Sequence, residues 1–134
     1  HEGVEQTGRA RSINRKKMDE EEVRKLLASP TSQQKVFREL KRRIQVRKEQ
    51  SAFHPDAAQE TMELTDSLYG IARKSEKQHV ICISNISSRS QETRLQGAPG
   101  SSGKVRDLLT GKEVDAGSGI LLEAYETVWL EVKG

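Results

Sequence analysis

The spacing of apolar residues changes near residue 50, and this change limits the chain to a fold that joins helices to a sheet. Before residue 50, apolar side chains recur every three or four residues, as on one face of a helix. After residue 50 they alternate or form short runs between turn residues, as in strands. Residues 1–50 carry 14 basic and 8 acidic residues, a net charge of +6, whereas residues 51–134 carry −3. The two segments therefore have different surroundings.

Two helices are predicted in the first segment, after a loop over residues 1–17. Asp19 is a good N-cap residue, and Glu22 follows it three positions later, as in a capping box. The first helix should begin there and end near Ala28, because Pro30 disfavours helical backbone in the residue before it.

The second helix is predicted to start within residues 29–32 and to end near Glu49. Most of its surface is basic, and its single apolar stripe consists of Val36, Phe37, Leu40 and Ile44. Two helices with so few apolar side chains are not stable alone, so we expect them to need a further packing surface.

The second segment predicts eight short strands, at residues 61–64, 68–73, 79–86, 91–96, 105–109, 112–114, 120–123 and 127–132. The third strand is apolar on both faces around residues 80–83, which indicates a central position. Thr110-Gly111 is typical of a hairpin turn, and residues 97–103 of a loop. The predicted fold class is α+β, with two N-terminal helices followed by an antiparallel β-sandwich or Greek-key domain.

Composition excludes several classes of protein. No run of 18 apolar residues exists, so no membrane-spanning helix is predicted. Cys82 is the only cysteine, which excludes a disulfide framework within the chain and fits a reducing compartment. The three histidines lie far apart in sequence, and no zinc-ligand spacing is present. Because the first residue is His1 rather than methionine, we expect the chain to be a piece of a longer protein.

Several polar features admit both a functional and a structural interpretation. The basic second helix could bind nucleic-acid phosphates, but no row of aromatic residues accompanies it, and a solvated outer face is the simpler interpretation. Asn85 begins a glycosylation sequon, and His54 has no partner placed by spacing. Tyr125 and Trp129 could stack on a sugar ring. Their alternating spacing along a strand instead favours packing of these side chains in the core and at the sheet edge. Strand-end carboxylates such as Asp107 are expected to be solvated.

Four stretches of the chain resemble one enzyme family in the right order. Residues 107–111 (DLLTG) and 119–130 (GILLEAYETVWL) resemble the C-terminal β-domain of glycoside hydrolase family 13, the α-amylase family. Residues 7–15 (TGRARSINR) resemble a loop near the end of the catalytic barrel in sucrose phosphorylase-like enzymes. Residues 52–57 (AFHPDA) resemble the segment that leads into their C-terminal domain.

This resemblance implies a division of labour within a larger enzyme. Residues 1–50 would be the end of the (β/α)8 catalytic barrel, with a loop and its last helices, and residues 51–134 the C-terminal all-β domain. Enzymes of this family form a covalent glucosyl-enzyme intermediate and retain the configuration of the anomeric carbon. Its phosphorylases transfer the glucosyl unit to phosphate. The catalytic carboxylates lie on earlier barrel strands, so no catalytic residue is expected in this chain, and the fragment is expected to be inactive.

The resemblance also implies one substrate-binding position. The arginine that ends the family's Ile-Asn-Arg motif hydrogen-bonds hydroxyls of the glucosyl unit, and by match this residue is Arg15, supported by Asn14. Ala10 stands where relatives often have glycine, and Lys16-Lys17 where an aromatic residue or histidine is common. These departures leave open which α-glucoside is the donor (sucrose, sucrose 6-phosphate or glucosylglycerate) and whether phosphate or water is the acceptor.

The expected partners follow from the same resemblance. They are the catalytic barrel of the parent chain, and an α-glucoside and phosphate as substrates of the cytoplasmic parent enzyme. The family's phosphorylases need no cofactor or metal, and we expect no binding to nucleic acid or membrane. Without the barrel, part of the apolar stripe is expected to drive self-association. The alternatives are a non-catalytic carbohydrate-binding β-module and a nucleic-acid-binding module built on the basic helix.

Overall fold

The computed structural model describes residues 1–95 and 103–132. The chain divides into two compact units, His1–Arg42 and Arg43–Gly134, which are described separately below and called unit 1 and unit 2.

Unit 1 is helical and has an element that the sequence pattern did not predict. Helix α1 spans Glu2–Thr7 and is followed by a 3₁₀ turn at Ala10–Ser12, where residues 1–17 were expected to form a loop. The helix has no apolar period and buries only Gly3, so hydrophobic spacing could not reveal it. Gly8 ends it in the left-handed conformation, with its N–H donating to the Val4 carbonyl at 2.6 Å.

The two predicted helices are present with the expected boundaries. Helix α2 spans Glu20–Ala28, and helix α3 spans Ser32–Glu49 and continues beyond unit 1. Asp19 caps α2 by accepting a hydrogen bond from the Glu22 N–H at 2.7 Å. The Glu22 carboxylate does not complete a capping box, because it accepts a hydrogen bond from Lys16 instead.

The apolar stripe of α3 is exposed. Each of its four side chains, defined above as Val36, Phe37, Leu40 and Ile44, has at least half of its surface accessible to solvent. The helix therefore buries no residue, although its predicted apolar face is present.

Unit 2 contains the eight strands in two antiparallel sheets. A six-stranded sheet has the order β1-β2-β3-β8-β5-β6, and β4 pairs with β7 in a small second sheet. The strands are β1 Ala58–Met62, β2 Leu68–Lys74, β3 His79–Asn85, β4 Gln91–Thr93, β5 Lys104–Asp107, β6 Glu113–Asp115, β7 Ile120–Leu122 and β8 Thr127–Val132. The last strand lies between β3 and β5, so the sheet is not a simple meander.

The core of unit 2 lies between the two sheets. Strand β3 occupies an inner position, as its doubly apolar sequence predicted, and Ile81 and Ile83 are fully buried there. Leu122 from the small sheet and Leu130 from β8 complete the same hydrophobic cluster. The α+β class and the antiparallel β-domain are thus confirmed.

Two strands, β1 and β4, differ from the prediction by three residues at one end. Strand β1 begins at Ala58 rather than residue 61, because its polar residues pair through the backbone with β2 at the edge of the sheet and need no apolar alternation. Strand β4 ends at Thr93. Most of the predicted loop at residues 97–103 lies outside the described residues.

Candidate functional site

The two predicted site residues lie on an exposed turn of unit 1, directly after the 3₁₀ turn. Asn14 has a φ of 57°, a left-handed conformation that asparagine tolerates better than most residues. The Arg15 N–H then donates to the Ser12 carbonyl oxygen at 3.0 Å and closes the turn. The structure thus places Asn14 where it bends the chain immediately before Arg15.

The Arg15 side chain has no partner of its own within the described residues. It is exposed, and no hydrogen bond or ion pair involves its guanidinium group there. A guanidinium presents five N–H donors in a planar fork, which suits carboxylates, phosphates and adjacent sugar hydroxyls. The turn therefore carries a donor group that is available to a ligand.

The two residues that follow Arg15 are both held by contacts, Lys16 through its side chain and Lys17 through its backbone. Lys16 Nζ lies 2.7 Å from Glu22 Oε1 on α2 and 3.8 Å from Glu2 Oε2 on α1. The hydrogen bond to Glu22 is the largest cause that raises the pKa of Lys16 above its usual value. The backbone of the next residue, Lys17, is bonded by the Gln6 side-chain amide. These contacts could not be predicted from the sequence, because residue spacing alone does not show that α1 exists.

A second motif, the segment at residues 52–57, is fixed to the sheet of unit 2. Arg73 on β2 donates to the Ala52 carbonyl at 3.0 Å, to the His54 carbonyl at 2.7 Å and to Gln59 Oε1 at 2.7 Å. The Phe53 ring lies 4.8 Å from the Trp129 ring, measured between centroids, at an interplanar angle of 56°. The segment therefore has a structural role: it is fixed to the sheet by Arg73 and Trp129.

His54 lies at a shallow groove of about 520 Å³ in unit 2, which is also lined by Asp56, Lys74 and Lys77. Its Nδ1 is 3.6 Å from Asp56 Oδ2, a carboxylate that sequence spacing did not assign to it. Both side chains are largely exposed to solvent. The arrangement is that of a solvated turn.

Two polar residues that carried functional alternatives are buried structural groups. Asn85 donates to the carbonyls of Arg89 and Glu123, and its Oδ1 accepts from the N–H and hydroxyl of Ser87. Its amide is thus engaged in a buried turn and is not open to glycosylation. Asp107 was expected to be solvated, but only 2% of its surface is exposed. It accepts hydrogen bonds from Leu109, Thr110 and Trp129.

The features behind the two alternative functions are weak in the structure. In unit 2, Trp129 is packed on Phe53, which leaves Tyr69 and Tyr125 as the exposed aromatic side chains among its described residues. On α3, Arg42 is paired with Glu39 at 2.8 Å. Residues 1–95 and 103–132 contain no cluster of three side chains of the types that hold a metal, and none of their helices has the length and apolar character to cross a membrane.

Comparisons with known proteins place these features in context. No protein-family model matches the chain. A glucosylglycerate phosphorylase of Spirochaeta thermophila is 35% identical over 94 residues, which are 68% of this chain and 16% of that protein. A glucosylglycerate phosphorylase of Allomeiothermus silvanus is 30% identical over 131 residues, which are 97% of this chain and 21% of that protein.

A solved structure shares the fold. The MutB E254Q mutant in complex with sucrose matches with a TM-score of 0.60 and 15% identity, over 81% of this chain and 19% of that one. The chain therefore spans about a fifth of the length of the proteins that it matches.

Proposed function

We propose, from the premise that this chain belongs to glycoside hydrolase family 13, the α-amylase family, that it is the C-terminal part of a retaining sugar phosphorylase. The parent enzyme would transfer a glucosyl unit from an α-glucoside to inorganic phosphate, in the cytoplasm, without a cofactor. The observation that carries this proposal is the similarity to a glucosylglycerate phosphorylase over 97% of the chain. We accordingly propose glucosylglycerate as the first donor to test, ahead of sucrose and sucrose 6-phosphate.

Arg15 has the proposed role of a substrate-binding residue. Its guanidinium would donate to hydroxyl groups of the glucosyl unit, and the left-handed turn at Asn14 would direct it there. The exposure of Arg15 and its lack of a partner in the described part of the chain support this role, since a binding group must be free to exchange water for ligand. Hydrogen bonds from a charged donor to sugar hydroxyls would hold the unit in place during both displacement steps.

The catalytic nucleophile and the acid/base would come from the barrel of the parent chain. Retention requires two carboxyl groups on opposite sides of the glycosidic bond, about 5 Å apart. We propose that the barrel supplies both, and that the 134-residue chain alone is inactive.

The barrel is also the proposed partner of the apolar stripe on α3. Val36, Phe37, Leu40 and Ile44 lie on one side of the helix and are at least half exposed. The relatives have about four-fifths of their length beyond the matched region, which is ample chain to cover this stripe. In the isolated chain the same stripe would instead favour self-association.

The test is a comparison of the parent enzyme with the 134-residue chain. Each is incubated with phosphate and one donor: glucosylglycerate, sucrose or sucrose 6-phosphate. We expect the parent to release glucose 1-phosphate from at least one donor, fastest from glucosylglycerate, and the fragment to release none. Release of free glucose at a rate independent of phosphate would instead identify a hydrolase. Turnover by the fragment would contradict the proposal that the barrel supplies both catalytic carboxyl groups.

A further inference from the structure

Helix α1 packs against the Arg15 turn so closely that only glycine fits at the contact. A Cβ atom built at Gly3 would overlap the Ser12 carbonyl oxygen and lie 2.8 Å from the Arg15 carbonyl carbon and 2.9 Å from the Arg15 nitrogen. All three are backbone atoms, so no side-chain rotation could relieve the clash. A residue larger than glycine at this position must move the turn that carries Arg15.

The same face of α1 holds the chain on the far side of Arg15. The Lys17 N–H donates to Gln6 Oε1 at 3.0 Å, and Gln6 Nε2 donates to the Lys17 carbonyl at 3.3 Å. One side-chain amide thus satisfies both backbone groups of a single residue. Gly3 and Gln6 are three positions apart in the helix and therefore lie on one side of it.

The helix itself depends on this contact. A helix of six residues is too short to be stable in isolation, and α1 buries no apolar side chain. Within the helix, the Thr7 hydroxyl donates to the Gly3 carbonyl at 2.7 Å, which adds a local hydrogen bond to this short element. The helix and the turn are therefore one structural piece, with contacts on both sides of Arg15.

We propose that Gly3 and Gln6 are positioning residues, which fix the backbone from which Arg15 reaches the sugar. The inference rests on the proposed function, because it assigns a purpose to the position of Arg15. Neither residue touches the substrate; each acts through the turn. Since a misplacement of about 1 Å in a binding group can cost up to about a hundredfold in rate, loosening the turn should lower catalysis without removing any ligand contact directly.

The experiment uses Gln6→Ala, Gln6→Glu and Gly3→Ala in the parent enzyme, with Glu5→Ala as a matched control, since Glu5 is the exposed neighbour on the same helix. We expect Gln6→Ala and Gly3→Ala to lower kcat/KM by about tenfold or more, and Glu5→Ala to stay within about twofold. Gln6→Glu keeps the acceptor for the Lys17 N–H and should lose less than Gln6→Ala. Helix propensity predicts the opposite sign for Gly3→Ala, because alanine is the better helix former.

A double-mutant cycle distinguishes positioning of Arg15 from a general effect on the structure. If Gln6 acts through Arg15, then Gln6→Ala combined with Arg15→Ala should be no worse than Arg15→Ala alone; losses that multiply would overturn the inference. Trypsin cleavage after Arg15, Lys16 or Lys17, followed by mass spectrometry, gives a readout besides activity. It should be faster in the Gln6→Ala and Gly3→Ala enzymes than in the control, and equal rates would also overturn the inference. If Arg15→Ala itself has no effect on activity, the role of Arg15 in the proposed function fails, while the cleavage rates still decide whether α1 holds the turn.

Discussion

The two units of this chain are stabilised in different ways. All of the buried hydrophobic side chains among the described residues lie in unit 2, where Ile81, Ile83, Leu122 and Leu130 are almost fully inaccessible to solvent. In unit 1 the only buried residue is Gly3. Unit 1 is instead held by helix caps, backbone contacts and exposed ion pairs such as Lys25–Glu21.

This difference indicates which unit needs a partner. Exposed ion pairs contribute at most about 1 kcal/mol each, whereas burying one large apolar side chain contributes about 1.5–3 kcal/mol. In unit 2 the buried side chains of both sheets form one hydrophobic core. Three of the four stripe residues, Val36, Phe37 and Leu40, lie in unit 1 and are at least half exposed, as expected of an element that packs against another part of a larger protein.

A matched pair of leucines provides the largest expected contrast. Leu130 is fully buried in unit 2, and 56% of Leu40 in unit 1 is exposed. In the 134-residue chain, Leu130→Ala should lower the free energy of unfolding by about 2–5 kcal/mol, because it leaves a cavity. Leu40→Ala should change it by about 0.5 kcal/mol or less, as at other surface positions. Urea unfolding followed by Trp129 fluorescence and by helical circular dichroism measures both.

The same leucine variant sharpens the comparison in the parent enzyme. If the barrel covers the stripe, Leu40→Ala should there become clearly destabilising, with a lower melting temperature than in the unmutated parent. A Leu40→Ala effect as small in the parent as in the fragment would mean that the stripe has no partner in the same chain.

Two aspartates give the next largest contrast. Asp107 in unit 2 is buried and accepts three hydrogen bonds, whereas Asp19 in unit 1 is exposed and caps α2 with one. Asp107→Ala should cost at least about 2 kcal/mol, since buried donors lose a charged acceptor. Asp19→Ala should cost about 1 kcal/mol. Thermal unfolding of the two variants measures this difference, and equal costs would show that Asp107 is less buried than its contacts imply.

Two arginines separate function from stability. In the parent enzyme, Arg15→Ala should lower kcat/KM by about ten- to a hundredfold, from the loss of hydrogen bonds worth roughly 1.5–3 kcal/mol. Arg15→Lys should restore activity only in part, because an ammonium group lacks the planar fork. Arg73→Ala should instead lower the melting temperature and leave kcat/KM unchanged, since Arg73 holds residues 52–59 to the sheet.

Control variants in the Arg15 turn complete this test. Arg9→Ala and Lys17→Ala remove exposed charges near Arg15 and should have little effect on kcat/KM. Near-normal activity of the Arg15→Ala enzyme would show that the substrate-binding role does not transfer to this position.

Much of the fold could be predicted from sequence, because hydrophobic spacing determines most of it. The Asp19 cap of α2, the ends of α2 and α3, the inner position of β3 and the hairpin at Thr110-Gly111 all followed from local patterns, and the structure confirms them. The family resemblance is confirmed as well. Helix α1 and the start of β1 were missed, since both are polar and are stabilised by backbone contacts that spacing does not encode.

The candidate site was predicted only in part. Residues 7–15 identified Arg15 and Asn14 through resemblance, and their roles remain predictions. Gly3 and Gln6 hold the turn through contacts that depend on where the chain folds back. Neither the composition nor the spacing of apolar residues predicts such contacts. Asp107 and Asn85 likewise could not be recognised as buried, because a carboxylate or amide near a turn has the same sequence signal whether solvated or enclosed.

The smallest expected contrast is a pH effect confined to unit 2. Burial, with a smaller contribution from the charge of Lys74, lowers the pKa of His79 below its usual value of 6.5. As the pH falls through this range, the unfolded chain takes up a proton at His79 before the folded chain does, so the free energy of unfolding must decrease. Between about pH 7.5 and about pH 5.5, above the range in which carboxylates titrate, we expect the urea midpoint seen by Trp129 fluorescence to decline. His79→Gln should remove this component of the decline, whereas His54→Gln, at an exposed site, should retain it. A decline of equal size in the His79→Gln chain would assign the pH dependence to other groups.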